Sequence, residues 1–467
     1  MYKNKLFASS LAALVAGMAE MALAQSTGET VSLKTAINVA VNSNPEVAQA
    51  QYNTEAIQME RKQAQGLYAP RVDLEGTAGL RHLDNPTRRA LGISDDTLYP
   101  VQGQVRAEWT AIDFGRRRGE LLRQAARVDG ASLRVLERSE FIALQVARQY
   151  LDILLQQRVL AASQDNVTFH KSLVGDLATG VQQGSISVAD QQQAEERLQA
   201  ALVRQSEAEQ ALEEARISLR RLTGLDISQV QMPPTLVENM PTSLDEAVGL
   251  ARTKNPKVRE AMADVDASHS LADSAKGDLY PRIGVQATGR IGKDIDGVNG
   301  TTRDAQVDVF LRWNIFDGGI NRAKYQEMVR RSSEARYRLY DLVRRAEEDV
   351  RIAWTTQLTQ AKVSDQLARQ SQVSDDLLLS YRSQFNVGRR SLLDVLDAQN
   401  TRYNVQVRLE TARFSDVFAR YQVLAATNQF LTAVDVAPGA GAGMTERDRF
   451  RYGPPKPAEL EYRTMPK

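Results

Sequence analysis

The sequence predicts an α+β membrane protein, an internally duplicated chain in which four amphipathic strands accompany long coiled helices. Three observations lead there. A series of short motifs occurs twice, two long blocks contain no proline, and four segments alternate apolar and polar residues with a period of two.

The duplication sets the frame. Ser32-Leu33, Asn44-Pro45, Gly66 and Pro70-Arg71 recur as Ser243-Leu244, Asn255-Pro256, Gly277 and Pro281-Arg282, all at an offset of 211 residues. Trp109, Asp113, Gly115, Gly184, Ser187 and Asp190 recur as Trp313, Asp317, Gly319, Gly388, Ser391 and Asp394, now at an offset of 204. A length change confined to one loop separates two copies of one structural unit. The copies are expected over residues 25–225 and 243–432, with a linker at 226–242 between them and a flexible tail over 433–467. That tail is rich in glycine and proline, a composition poor in buried apolar surface.

Residues 1–24 read as a secretory signal. Lys3 and Lys5 form its positive end, Leu6 to Met18 is mostly apolar, and Ala22-Leu23-Ala24 supplies a cleavage pattern. The 467 residues carry a net charge of +1, so no long-range field for nucleic acid is expected. There is no cysteine for a disulfide or a lipid anchor. No segment after the signal reaches the ~18–20 apolar residues of a membrane helix, so a membrane span would have to be made of strands.

Residues 101–232 and 282–437 contain none of the 14 prolines, where average usage would place about seven in each block. Proline breaks helix interiors, so long helices are expected there. Positions 198, 201, 205, 208, 212, 215 and 219 alternate spacings of three and four, a coiled-coil seam with small side chains. Ile142, Val146, Ile153 and Leu160 form a similar stripe. The 68 residues between Gly115 and Gly184 would span roughly 100 Å as one helix. Gly184 and Gly388 are the turning points of the two helical hairpins, and Asn44-Pro45 and Asn255-Pro256 mark helix starts.

After each Pro-Arg pair the period changes to two. Strand pairs are expected at 71–81 with 101–110 and at 282–291 with 305–315. Val72, Leu74, Val105, Ala107, Val285, Val307, Val309 and Trp313 lie on one face; Glu75, Arg106, Glu108, Arg290, Asp308 and Arg312 lie on the other. Half-buried strands of a soluble sheet alternate in the same way, but the signal and the charged face favour a membrane β-barrel with a wet lumen. Four strands cannot close a barrel, and open edges do not survive in lipid. Two chains would give eight strands and a filled interior, whereas three would give twelve and room for a channel. The connecting loops, 82–100 and 292–304, are polar.

In this order and spacing the motifs resemble the TolC family of outer-membrane exit ducts. The resemblance covers nearly all of residues 30–432 and rests on the paired starts, Trp109 to Gly115, Trp313 to Gly319, and the stretch Phe385-Asn-Val-Gly-Arg-Arg-Ser-Leu-Leu-Asp-Val-Leu-Asp397. It implies a TolC-like fold: a homotrimer whose 12-stranded β-barrel, four strands per chain, continues into a long periplasmic α-helical coiled-coil barrel. It also implies a place in the outer membrane of a Gram-negative cell, most of the chain lying in the periplasm. A periplasmic adaptor and an inner-membrane ABC transporter or other pump would be the partners, and outer-membrane lipid the surroundings. In such ducts the periplasmic end is closed by ion pairs and lined by aspartate rings. By motif position Asp394 and Asp397 match the rings, Arg390 the basic residue and Asp190 the acidic residue of the closing links. Phe385 stands where a tyrosine is common, and Arg389 offers a second charge beside Arg390. The hairpin turns at Gly184 and Gly388 are where partners would touch. Asp394 and Asp397, three apart on a helix, share a face, and threefold symmetry would ring six carboxylates at one level.

Within the family, Arg-Arg-Ser-Leu-Leu-Asp and the segment Asp113-Phe-Gly-Arg-Arg-Arg118 look most like ducts of type I protein secretion, with adhesin or toxin-like cargo. A drug-efflux duct is the alternative and a periplasmic coiled-coil adaptor a distant one. No catalytic constellation is present: His82, His170 and His269 are scattered, and no phosphate loop occurs, so neither an enzyme nor a cofactor is expected.

Overall fold

The computed structural model describes residues 30–227, 229–236 and 239–450. The expected signal, residues 1–24, and the end of the tail from 451 on lie outside them.

The first copy begins with a two-residue strand, Thr30–Val31 (β1), and two helices, Leu33–Ser43 (α1) and Pro45–Gly66 (α2). Strand Arg71–Ala78 (β2), a short helix Pro86–Ala90 (α3) and strand Val101–Ile112 (β3) follow. Arg116–Gln182 (α4) and Val188–Thr223 (α5) make the first hairpin. The second copy repeats the order: Gln229–Val230 (β4), Leu244–Lys254 (α6), Pro256–Gly277 (α7), Arg282–Lys293 (β5), Thr301–Arg312 (β6), then the hairpin Ile320–Asn386 (α8) and Leu392–Ala426 (α9). Helix Phe430–Ala433 (α10) and a 3-10 turn, Glu446–Phe450, close the described chain. The long arms α4 and α8 are 67 residues each.

Two compact units emerge, and each draws on both copies. One comprises the described residues up to Val47 with Ser139–Val248 and Asp349–Pro438; the other comprises Ala48–Arg138, Gly249–Glu348 and the described residues from Gly439. The division therefore runs across the sequence repeats rather than between them.

In the first unit, Ser32 caps α1 by accepting the Thr35 N–H, and the stripe Leu33, Ala36, Ile37, Ala40 and Val41 is buried. It packs with Ile142, Val146, Tyr150 and Ile153 of α4, Leu219 of α5, and Tyr421, Leu424 and Phe430. The seam expected on α5 is buried at Leu198, Ala201, Ala208, Leu212, Ala215 and Leu219, while Gln205 is half-buried. Residues 226–242 are more than a linker, because β4 pairs in parallel with β1. Tyr150 fastens that pair: its hydroxyl bonds the Val31 and Gln231 carbonyls and accepts the Gln231 N–H, each within 2.8 Å.

The second unit carries an antiparallel sheet in the order β2-β3-β5-β6. The register sorts side chains by polarity. Asp73, Arg106, Thr288 and Gln306 form one cross-strand row, and Glu75, Gln104, Arg290 and Asp304 the next. Arg290 bonds Asp304 at 3.1 Å, and Arg312 reaches Glu108 at 2.7 Å across β5. The intervening rows, Val72-Ala107-Ala287-Val307 and Leu74-Val105-Gly289-Ala305, face the other way. There Leu74 is 81% exposed, Val307 74% and Val309 77%. An apolar face left bare in this way is costly in water and suited to lipid. Among the described residues β2 and β6 have no outer neighbour.

Several strand and loop limits differ from expectation. β2 stops at Ala78 instead of 81, although Arg81 still bridges Leu98. β3 runs on to Ile112 past a bulge after Thr110. The second pair extends to Lys293 and begins again at Thr301, so its loop is shorter than 292–304, and Trp313 to Ile315 fall outside β6. Strand ends are set by where the partner ends: β5 starts at Arg282, opposite Arg312, and offers nothing beyond. The first loop is folded as well. Asn85 caps α3, and the fully buried Arg88 donates to the carbonyls of Gly297 at 2.6 Å, Asp96 at 2.8 Å and Ile93.

The flexible tail expected from residue 433 is overturned as far as the description reaches. Val434 and Val436 are buried, and residues 444–447 bond to α2, α4 and α7 through specific ion pairs. Partners far away in sequence outweigh the local composition.

Candidate functional site

The candidate gate residues gather at the tips of the two hairpins, both in the first unit. Each long arm ends in the same device. Gly184 and Gly388 adopt left-handed φ of 73° and 70°. At the first tip Ser185 N–H bonds Gly180 C=O at 2.9 Å and Gly184 N–H bonds Val181 C=O at 3.0 Å. At the second, Arg389 bonds Gln384 at 2.9 Å and Gly388 bonds Phe385 at 2.9 Å. This pair of bonds satisfies the last carbonyls of a helix when glycine follows it. The returning helices are capped by Ser187 and Ser391, which accept the N–H groups of Asp190 at 3.1 Å and Asp394 at 3.2 Å. The carboxylates reach back to the serine hydroxyls at 2.7 and 2.8 Å, and Asp394 also accepts the Ser391 N–H, completing a capping box.

These contacts place the expected residues. Asp190 is engaged with Ser187, and Arg390 lies 3.6 Å from Asp394, so within one chain Arg390 reaches Asp394 rather than Asp190. Arg390 also donates to Gln384 at 3.1 Å and stacks 4.2 Å above the Tyr381 ring. The Ser391 hydroxyl, with help from its N–H and from Arg390, holds the Asp394 carboxyl below its ordinary value. Asp397 is exposed one turn further on. Phe385 points into the packing instead: it adjoins Leu173, Leu177, Ala194, Leu392 and Leu396, and also Leu378 and Val395. It serves as an apolar brace between the hairpins, and a tyrosine hydroxyl would have to be accommodated there.

Sequence reasoning missed the polar seam that joins the hairpins behind the tips. Gln399 donates to Asn166 at 2.8 Å, Ser163 and Tyr403 share a hydrogen bond of 2.9 Å, and both contacts are buried. Arg204 donates to Asn400 at 3.0 Å across the same seam, while Arg402 holds Asp375 at 2.5 Å between the two arms of the second hairpin. His170 is buried in the same stretch. Burial, then Arg197 and Arg204, drives its pKa down to about 4, so it is neutral at physiological pH. The signal was present: Ser163, Asn166 and His170 share one helical face at spacings of three and four, among apolar neighbours. Among the described residues no group of side chains could hold a metal, and no helix is long and apolar enough to cross a membrane.

Comparison with known proteins agrees with this architecture. The Outer membrane efflux protein family matches residues 36–225 and 247–431. The efflux protein BepC of Brucella suis is 24% identical over 287 residues, 61% of this chain and 62% of its own. The alkaline protease secretion protein AprF of Pseudomonas aeruginosa is 22% identical over 291 residues, 60% of either chain. The chain thus spans about three fifths of the length of these relatives. The crystal structure of the CmeC outer membrane channel of Campylobacter jejuni superposes with a TM-score of 0.77 at 14% identity, covering 92% of this chain and 90% of that one. The match in two halves follows the duplication, and the chain belongs to the outer membrane efflux protein family, whose members lie in the Gram-negative outer membrane.

Proposed function

We propose that the chain is the exit duct of a tripartite export machine, with three copies sharing one 12-stranded barrel. One observation carries this reading: the four-stranded sheet has a bare apolar face, a charged opposite face and, among the described residues, unpartnered edges at β2 and β6. An edge cannot remain open in lipid, and three copies joined edge to edge leave none. The charged rows then line a lumen wide enough to conduct.

The periplasmic tips form the gate in this reading. Asp394 and Asp397 ring the constriction, Arg390 restrains the second tip, and the turns at Gly184 and Gly388 meet the periplasmic adaptor. Energy comes from an inner-membrane ABC transporter or related pump. Type I protein secretion is the preferred route, supported by the resemblance of residues 385–397 and by the similarity to AprF, a protease secretion protein. The similarity to BepC supports drug efflux as the second reading.

Deletion of the gene separates the two. Loss of a secreted or surface protein with unchanged drug susceptibility supports secretion, and the reverse pattern supports efflux. Fractionation tests the common ground: recovery from the soluble periplasm without detergent would sink the duct.

A further inference from the structure

The last described stretch of the chain makes contacts that a channel of this design does not need for its pore. Arg447 enters between two carboxylates on different helices, with Nε 2.6 Å from Asp129 on α4 and Nη1 2.5 Å from Asp266 on α7. Asp129 is further held by the backbone N–H groups of Glu446 at 2.6 Å and Arg447 at 3.3 Å. Its side chain is only 3% exposed. The neighbouring Glu446 pairs with Arg61 on α2, both side chains largely buried. Met444 completes the set, exchanging backbone contacts with the Ser132 hydroxyl at 3.1 and 3.4 Å and meeting Gln58 through its sulfur at 3.1 Å. Five side chains on three helices thus engage Met444, Glu446 and Arg447 of the tail.

We propose that residues 439–450 are a strap that fastens α2, α4 and α7 to one another at the root of the sheet. Each of the three helices adjoins a strand of the sheet: α2 leads into β2, α7 into β5, and α4 follows β3. Asp129 and Arg61 belong to the first sequence copy and Asp266 to the second, so the strap clasps both copies. It also resolves a conflict of charge. Asp129 and Asp266 repel one another, burial raises the Asp266 carboxyl, and Arg447 is the cation that offsets both effects. Removing one member of a buried ion pair leaves the other uncompensated, which is far worse than losing a surface pair.

Hydrogen exchange of the full chain in detergent tests this. In Arg447→Ala, exchange over residues 48–66 and 256–277 should rise roughly tenfold or more, while the hairpin tips keep wild-type protection. Arg447→Lys should give a smaller rise at the same places, since an ammonium cannot span both carboxylates as a guanidinium fork does. Wild-type protection of α2 and α7 in Arg447→Ala overturns the proposal. So does a loss spread equally to the tips, which would mean general unfolding. If Arg447→Ala fails to fold, Arg447→Lys and Asp266→Asn carry the same readout, and unchanged exchange in both overturns the strap.

Discussion

The two hairpin tips are built on one backbone plan and closed by opposite chemistry. At the first, Gly180 leaves room for Ile186 to fold over the end of α4; a Cβ at residue 180 would lie 2.5 Å from the Ile186 side chain. At the matching positions of the second stand Gln384 and Arg390, joined by a hydrogen bond, with Arg390 also on Tyr381 and Asp394. Leu177, buried in the first tip, matches Tyr381 in the second. One tip is shut by packing, which neither salt nor pH weakens directly. The other adds to its packing exposed polar links, each weak alone and open to competition from water or from a partner's charges. Duplication supplies the scaffold twice, and divergence at a few positions gives the two turns different side-chain contacts.

The largest expected effect lies at the packed tip. Gly180→Ala should cost about 1–3 kcal/mol through overpacking against Ile186, and exchange over residues 173–198 should rise. Gln384→Ala, at the matching site, should change its own tip only slightly. Comparable responses would erase the distinction.

Salt should act the other way round. At ~1 M salt, where screening reaches ~3 Å, exchange over residues 376–398 should rise while residues 173–198 hold. Equal sensitivity of both tips would show that the polar links do not close the second.

A smaller effect concerns the seam between the hairpins. His170 has its folded pKa lowered to about 4 from an ordinary ~6.5, so the folded state binds fewer protons than the unfolded between these values. Its stabilising contribution is complete above pH ~6.5 and is lost as pH falls toward 4. Thermal stability measured between pH 7 and 4.5 should fall, and His170→Asn should flatten that dependence. A slope unchanged by the substitution would remove His170 from the seam's account. The smallest effect belongs to the cap of α9. The lowered Asp394 carboxyl contributes above its unfolded value and loses its contribution as pH drops through the folded one, so acid should fray α9 only below pH ~4. Asp394→Asn should abolish that step, as read by exchange at residues 391–398.

Much of this was legible in the residues. The offsets of 211 and 204 exposed the duplication, proline-free blocks the long arms, and Gly184 with Ser187 the turn. What escaped depended on partners. The start of β6 at Thr301 follows from β5 opposite it, not from alternation, since Arg303 lies on the apolar parity opposite Ile291. The helix at Pro86 had a local signal, Asn85-Pro86, the same start that Asn44-Pro45 provides for α2, but Arg88 reads as a solvent residue until Gly297 is beside it. The tail looked unstructured because Asp129 and Asp266, which hold Arg447, lie 318 and 181 residues away. At the tips the contacts within one chain set Arg390 beside Asp394 and Asp190 on its own cap.

The central claim, a duct whose releasable closure resides in the second hairpin, is tested most directly by single-channel conductance in planar bilayers. Wild type, Arg390→Ala and Ile186→Ala should be recorded side by side. The expected result is a higher conductance or open fraction for Arg390→Ala, with Ile186→Ala close to wild type. Wild-type conductance in Arg390→Ala, or an equal rise in both variants, would contradict it.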